Sequence, residues 1–236
     1  MKPIRIAEIF GPTVQGEGQV AGRPFIFVRT AGCDLRCAWC DSMFAVDAAR
    51  HHEDWRTMSA AEIVEEVRAL SGGARYPVTL TGGNPALQPL GDLCALLRED
   101  GVETVLETQG TLIPDWLDDV DLITVSPKGP SSCMAFDAEE FDAFMRRANG
   151  KGETRVAVKI VIADAADLNF ASDIRERTPN NRLFLQPCNT NPDHTDPGAL
   201  LKAYGWLVDE TLRRGWSDVT VLPQLHALLW PGERAR

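Results

Sequence analysis

Three cysteines fall within eight positions of the stretch GCDLRCAWCD, residues 32–41. Thiolates at Cys33, Cys37 and Cys40 can gather one soft metal centre, but a structural zinc site or an ordinary ferredoxin cluster needs a fourth ligand. The next cysteine along the chain is Cys94. A [4Fe–4S] cube held by three cysteines leaves its fourth iron open to a substrate or cofactor, which suits a reaction centre and not a structural knot. A zinc knuckle borrowing His51 or His52 is the plainer alternative, disfavoured because zinc pairings usually place two ligands on each of two turns. Cys94, Cys133 and Cys188 stand singly; Cys94 lies in an apolar run and reads as core.

Other chemistry-bearing residues sit on four short turns: TGGN (81–84), ETQG (107–110), SPK (126–128) and QPCN (186–189). Each follows a predicted strand. From residue 59 onward strands and helices alternate. SAAEIVEEVRAL (59–70) opens with Ser59 and Glu62 in capping-box spacing and carries Ile63, Val64, Val67 and Leu70 on one face. Strands are expected over 77–83, 102–110, 121–128, 155–162, 182–187 and 218–225. Helices are expected over 89–99, from Asp137 and Glu140 onward, near 165–177 and near 197–214, with a helical turn near 114–117. An N-terminal strand runs into QGEG (15–18), and PFIFVRTAG (24–32) leads into the cysteine loop.

This alternation predicts βα units and a parallel sheet. About six such units are too few for a closed eight-stranded barrel, so the expected fold is α/β, a partial open (β/α)6-type barrel, with a doubly wound sheet as the alternative. In either case the C-terminal edge of the strands, where all four turns lie, carries the chemistry. Residues 1–236 are expected to form a single domain with a short C-terminal tail.

The composition, 44% hydrophobic and 25% charged, is that of a soluble globular chain. A net charge of −10 disfavours nucleic acid and anionic membrane surfaces as partners. The N-terminus lacks a signal-peptide pattern, and no stretch reaches the ~18 apolar residues of a membrane span. The expectation is a cytoplasmic protein, in which clustered thiols mean metal or catalysis more often than disulfides.

The spacing Cys33-x3-Cys37-x2-Cys40, with Trp39 before the last cysteine and TLTGGN downstream, resembles the radical S-adenosylmethionine superfamily. Together with EIFGPTVQGEG, VRTAGC, CDSMF, TGGNPAL, ETQGT, SPK and PQLHALLW, the chain resembles the 7-carboxy-7-deazaguanine synthases from residue 8 to about residue 230. The resemblance implies ring contraction of 6-carboxy-5,6,7,8-tetrahydropterin with loss of ammonia, in queuosine and deazapurine biosynthesis. The cofactors it implies are a [4Fe–4S] cluster on Cys33, Cys37 and Cys40, S-adenosylmethionine and Mg²⁺.

The same resemblance distributes roles over this sequence. Trp39, Cys40, Asp41, Gly83, Ser126, Pro127, Lys128 and Gln186 would line the S-adenosylmethionine, with Lys128 on its carboxylate and Glu107 at its ribose. Val14, Gln15, Gly16, Glu17, Arg29 and Thr81 would hold the pterin, Arg29 pairing with its carboxylate. Asp41 and Ser42 would offer Mg²⁺ its oxygen ligands. Asn84 stands where the superfamily usually has Glu. The chain continues past Pro231 with GERAR, where some relatives end inside the site. A flavodoxin or ferredoxin donor and a homodimer are also implied. A glycyl-radical activase sharing the cysteine triad and a non-enzymatic iron–sulfur or zinc protein are the rival readings; the activase would not need QGEG with a strand-borne Arg29, and three close cysteines without a nearby fourth argue against an electron-transfer protein.

Overall fold

The computed structural model describes residues 2–191 and 195–236. Its strands are β1 (Ile4–Val14), β2 (Pro24–Thr30), β3 (Arg56–Met58), β4 (Val78–Gly82), β5 (Thr104–Thr108), β6 (Leu122–Val125), β7 (Val156–Ile162), β8 (Arg182–Pro187) and β9 (Val219–Val221). They form one open sheet in the order β3-β1-β2-β4-β5-β6-β7-β8-β9. β1 is antiparallel to both β2 and β3. From β2 to β9 every pairing is parallel, so the loops after β2, β4, β5, β6, β7 and β8 leave one edge. The partial open α/β barrel expected from the alternation is the observed architecture.

Helices α1 (Met43–Val46), α2 (Ala48–His51), α3 (Ala60–Ser71), α4 (Gly91–Glu99), α5 (Ala138–Asn149), α6 (Ala165–Arg177), α7 (Pro197–Arg213) and α8 (Leu225–Leu229) complete the fold. Their starts follow local chemistry. The Ser59–Glu62 capping box closes the first turn of α3, with the Ser59 amide donating to Glu62 at 2.7 Å. Side chains of Asp137, Asp164 and Asp196 accept the first free amides of α5, α6 and α7. Among the described residues no helix is long and apolar enough to cross a membrane.

The sequence pattern does not predict the short elements β3, α1, α2 and α8. β3 is a three-residue edge strand whose exposed Arg56 and Thr57 carry no apolar alternation. Between β5 and β6 the helical turn expected near 114–117 is a 3₁₀ turn at Leu117–Asp119, and the buried Trp116 indole fills the space, donating to the Gln88 carbonyl at 2.9 Å.

Side chains alternate across each strand, and the two faces of the sheet differ. Ile26 and Val28, Val78 and Leu80, Leu106, Ile123 and Val125, Val158 and Ile160, and Leu183 and Leu185 point into the main core with residues of α3, α4, α5 and α6. The opposite, inner face is apolar at its base, where Val20, Phe25, Phe27 and Val105 pack together. Toward the C-terminal ends it turns polar: Arg29, Thr81, Glu107, Lys159 and Gln186 all face one cavity.

Candidate active site

That cavity has a volume of about 490 Å³ and is open to solvent on one side. The cysteine loop follows β2 and forms one wall, with Cys33, Cys37 and Cys40 all lining the cavity and all half-buried. Burial pushes the Cys37 thiol up to about 11, the neighbouring Cys40 and Cys33 adding to the effect and Lys128 opposing it. Cys33 and Cys40 are raised by burial in the same way. Thiols so placed stay protonated on their own; a cationic metal centre is what converts them to thiolates. Three sulfur donors with no fourth cysteine on the cavity wall fit a cluster with one open iron.

The turn after β4 is built for close approach. The Gly83 amide donates to the Thr30 carbonyl and the Asn84 amide to the Gly32 carbonyl, at 3.2 and 2.8 Å. A Cβ on Gly83 would stand 2.0 Å from the Gly32 carbonyl oxygen, so only glycine lets this turn lie against the cysteine loop. Beside it, Lys128 donates to the Ser126 carbonyl and hydroxyl at 2.8 and 2.9 Å and lies 6.0 Å from the Trp39 ring centroid. Burial lowers its pKa, and among the described residues it forms no salt bridge. A cation without a carboxylate partner at this wall fits an incoming carboxylate. Ser126, Trp39 and buried Gln186 share the wall, whereas Pro127 faces a smaller neighbouring cavity with Asp34 and Gln109.

Across the cavity, QGEG docks on the start of α8. The Leu225 amide donates to the Gly16 carbonyl at 3.2 Å, and a Cβ on Gly16 would meet His226 Nδ1 at 2.4 Å. This contact demands the first glycine of the motif. Glu17 then reaches inward to form an ion pair with Lys159 of β7 and accepts from Gln224 Nε2 at 2.7 Å. Burial would push the Glu17 carboxyl up, but Lys159, His226 and Gln224 outweigh it and hold the group at about 2. Burial alone would lower Lys159; Glu17, Glu107 and Asp41 more than reverse that and raise it. Asp41 accepts from Ser42 Oγ at 3.0 Å, and the ligand atoms of Glu17, Asp41 and His226 lie within 4.8 Å of one another.

Glu107, expected at the cofactor ribose, is tied to two of the expected substrate residues. Its two carboxylate oxygens accept from Gln15 Nε2 at 3.1 Å and Thr81 Oγ1 at 2.8 Å, which groups it with the expected substrate residues. Arg29 donates through Nε to Glu8 at 2.8 Å. The other oxygen of Glu8 accepts from Arg234 at 2.8 Å, and the Arg234 guanidinium lies 3.5 Å from the centroid of Phe44. Gly232, Glu233, Arg234, Ala235 and Arg236 all line the cavity, so the GERAR tail forms part of its wall.

Of the residues given a site role from the sequence, all but Pro127 line this cavity, and Asn84 lies behind it. Lys159, Gln224, His226, Glu8 and Arg234 were given no such role. Lys159 had a legible signal, a lone charge in the apolar run VAVKIVI. Glu8, Gln224, His226 and Arg234 lie within EIFGPTVQGEG, PQLHALLW and GERAR, and only folding shows what each of them touches.

A Radical SAM superfamily model matches residues 27–174. Over 240 aligned residues the chain is 42% identical to a 7-carboxy-7-deazaguanine synthase from Bacillus cereus, covering 99% of each chain. It is likewise 42% identical to the 7-carboxy-7-deazaguanine synthase of Bacillus subtilis, over 99% of this chain and 98% of that one. The crystal structure of QueE from Escherichia coli shares the fold, with a TM-score of 0.69 over 94% of each chain at 23% identity. Identity at this level along the whole length, around three thiols that share one cavity, places the chain in the radical SAM superfamily and, within it, in the 7-carboxy-7-deazaguanine synthase family.

Proposed function

We propose that this protein is a 7-carboxy-7-deazaguanine synthase, an enzyme that contracts the ring of 6-carboxy-5,6,7,8-tetrahydropterin with release of ammonia in deazapurine biosynthesis. The observation that carries the reading is one cavity with three thiols and Lys128, which forms no salt bridge among the described residues, on one wall and Gln15, Glu17, Arg29, Thr81 and Glu107 on the other. Cys33, Cys37 and Cys40 hold a [4Fe–4S] cluster, and Gly83, Ser126, Lys128, Gln186 and Trp39 hold S-adenosylmethionine. Bound there, these groups supply the one-electron chemistry that opens a C–H bond of the substrate.

The chain's own residues bind and orient. Lys128 takes the cofactor carboxylate in a charge-assisted hydrogen bond, already aimed by its two bonds to Ser126. The Glu107 carboxylate accepts from the amino and ring N–H groups of a pterin, with Gln15 and Thr81 fixing its plane. Arg29 has one nitrogen tied to Glu8 and turns its remaining N–H groups to the substrate carboxylate. The C-terminal tail excludes water from that side. Mg²⁺ is held by oxygens of Asp41 and Ser42, with Glu17 and His226 close by. The chain works as a single domain in the cytoplasm, as a homodimer, and receives its electron from a flavodoxin or ferredoxin.

The test is product analysis on anaerobically reconstituted, reduced protein given the carboxy-tetrahydropterin and S-adenosylmethionine. Stoichiometric 7-carboxy-7-deazaguanine and ammonia are expected. Cleavage of S-adenosylmethionine without the deazapurine acid would remove this substrate and favour activation of a partner protein instead.

A further inference from the structure

The cysteine loop is tied down at one side chain that the reaction itself does not use. Asp34 directly follows Cys33 and sits at the surface, facing away from the active-site cavity toward the smaller one. Its carboxylate accepts from three donors on two other turns. Asn84 Nδ2, in the turn after β4, donates to Oδ1 at 2.8 Å; Gln109 Nε2, after β5, donates to the same oxygen at 2.6 Å; Thr111 Oγ1 donates to Oδ2. Asn84 is fully buried, and its Oδ1 accepts from the Ala86 amide and from Thr108 Oγ1, so its amide group has one orientation, donors toward Asp34. Gln109 Nε2 also lies 3.6 Å from Cys33 Sγ.

We propose that Asp34 is the positioning residue of the cysteine loop, a carboxylate clamp that holds Cys33 against the turns after β4 and β5 and aims the Gln109 amide at its sulfur. The inference rests on the reading of Cys33 as a cluster ligand. Elsewhere the loop is held from its middle onward, by the Arg36 amide on the Met134 thioether at 3.2 Å, by the Ala38 amide on the Ser132 carbonyl and by the Trp39 indole on Ser131. Asp34 is, among the described residues, the loop side chain that fastens the segment next to Cys33 to the turns after β4 and β5. The clamp also explains the amide at residue 84: a carboxylate there would point at the Asp34 carboxylate across 2.8 Å, and two like charges at that distance repel. Residues 34 and 84 are a matched pair, one acceptor and one donor.

The pair has a second consequence. The negative charge of Asp34 lies within 4.0 Å of Cys33 Sγ. Charge and hydrogen bonds near cluster sulfurs set the reduction potential. Removing the Asp34 charge raises the potential of a cluster held there.

The experiment compares the wild type with Asp34→Asn, Asn84→Glu and the double variant Asp34→Asn/Asn84→Glu, each as the full chain before and after anaerobic reconstitution. In the metal-free chain, amide hydrogen exchange over residues 31–40 is expected to quicken about tenfold or more in either single variant, with far-UV circular dichroism unchanged. The double variant, with amide and carboxylate exchanged, returns toward wild type. After reconstitution, the singles retain less iron per chain, and the cluster of Asp34→Asn titrates at a higher midpoint potential. Unchanged exchange and iron content in both single variants would overturn the clamp. So would equal losses in the singles and the double, which mark general loosening without a matched pair. If the wild type itself takes up no iron, the cluster reading fails, while the exchange data on the metal-free chain still report on the clamp.

Discussion

The Glu17–Lys159 pair joins the QGEG turn to the middle of β7, and both side chains are largely buried, 13% and 10% exposed. Lys159→Met removes the cation and leaves a buried carboxylate whose remaining compensation is Gln224 and His226. Holding the Glu17 carboxyl at about 2 instead of its ordinary 4.5 corresponds to roughly 3 kcal/mol at 1.36 kcal/mol per tenfold. Removing one partner of a buried pair costs about 3–5 kcal/mol on the same scale. At about 2–4 °C per kcal/mol for a chain of this size, the melting temperature of Lys159→Met should fall by roughly 6–12 °C. Glu17→Gln/Lys159→Met, which carries no charge at either position, should recover most of the loss.

The pH dependence has a definite sign. Glu17 is lowered on folding, so its contribution is complete above about pH 4.5 and is lost as the pH falls toward about 2. Lys159 is raised, so its contribution is complete below 10.5 and lost only in stronger base. The assay is a double-mutant cycle by urea and thermal denaturation at pH 7, repeated on acidification. Single-variant losses that add within about 0.5 kcal/mol in the double variant would refute the coupling, as would a wild-type advantage that persists unchanged to pH 2.

Two further outcomes follow from the cavity. Lys128→Met should weaken S-adenosylmethionine binding to the reconstituted protein by roughly 10- to 100-fold, the worth of a charge-assisted hydrogen bond, with the dissociation constant measured by calorimetry; an unchanged constant would sink the role given to Lys128. Arg234→Ala should raise KM for the carboxylated substrate several-fold with kcat preserved, because Glu8 then draws Arg29 alone. Its effect on stability should stay within about 1 kcal/mol, since the Arg234 side chain is 54% exposed; a fall in kcat at constant KM would contradict the assignment.

Much of this protein is legible in its sequence because the governing interactions are local. The 33-37-40 cysteine spacing, the Ser59–Glu62 capping box and the polar turns at the ends of apolar strands each depend on residues a few positions apart. The parallel sheet follows from strand–helix alternation, and with it the edge where the chemistry collects. What the tertiary structure decided is which distant charges meet. Glu17 and Lys159 stand 142 positions apart, Asp34 and Asn84 stand 50 apart, and Glu8 and Arg234 stand 226 apart. No periodicity encodes such pairs, because each forms only when loops, strands and the tail, remote in sequence, are brought together by the fold. Burial makes the first of these pairs count most: a lone Lys159 in an apolar strand becomes the counter-ion of the QGEG turn, while a polar residue beside Cys33 becomes the anchor of its loop.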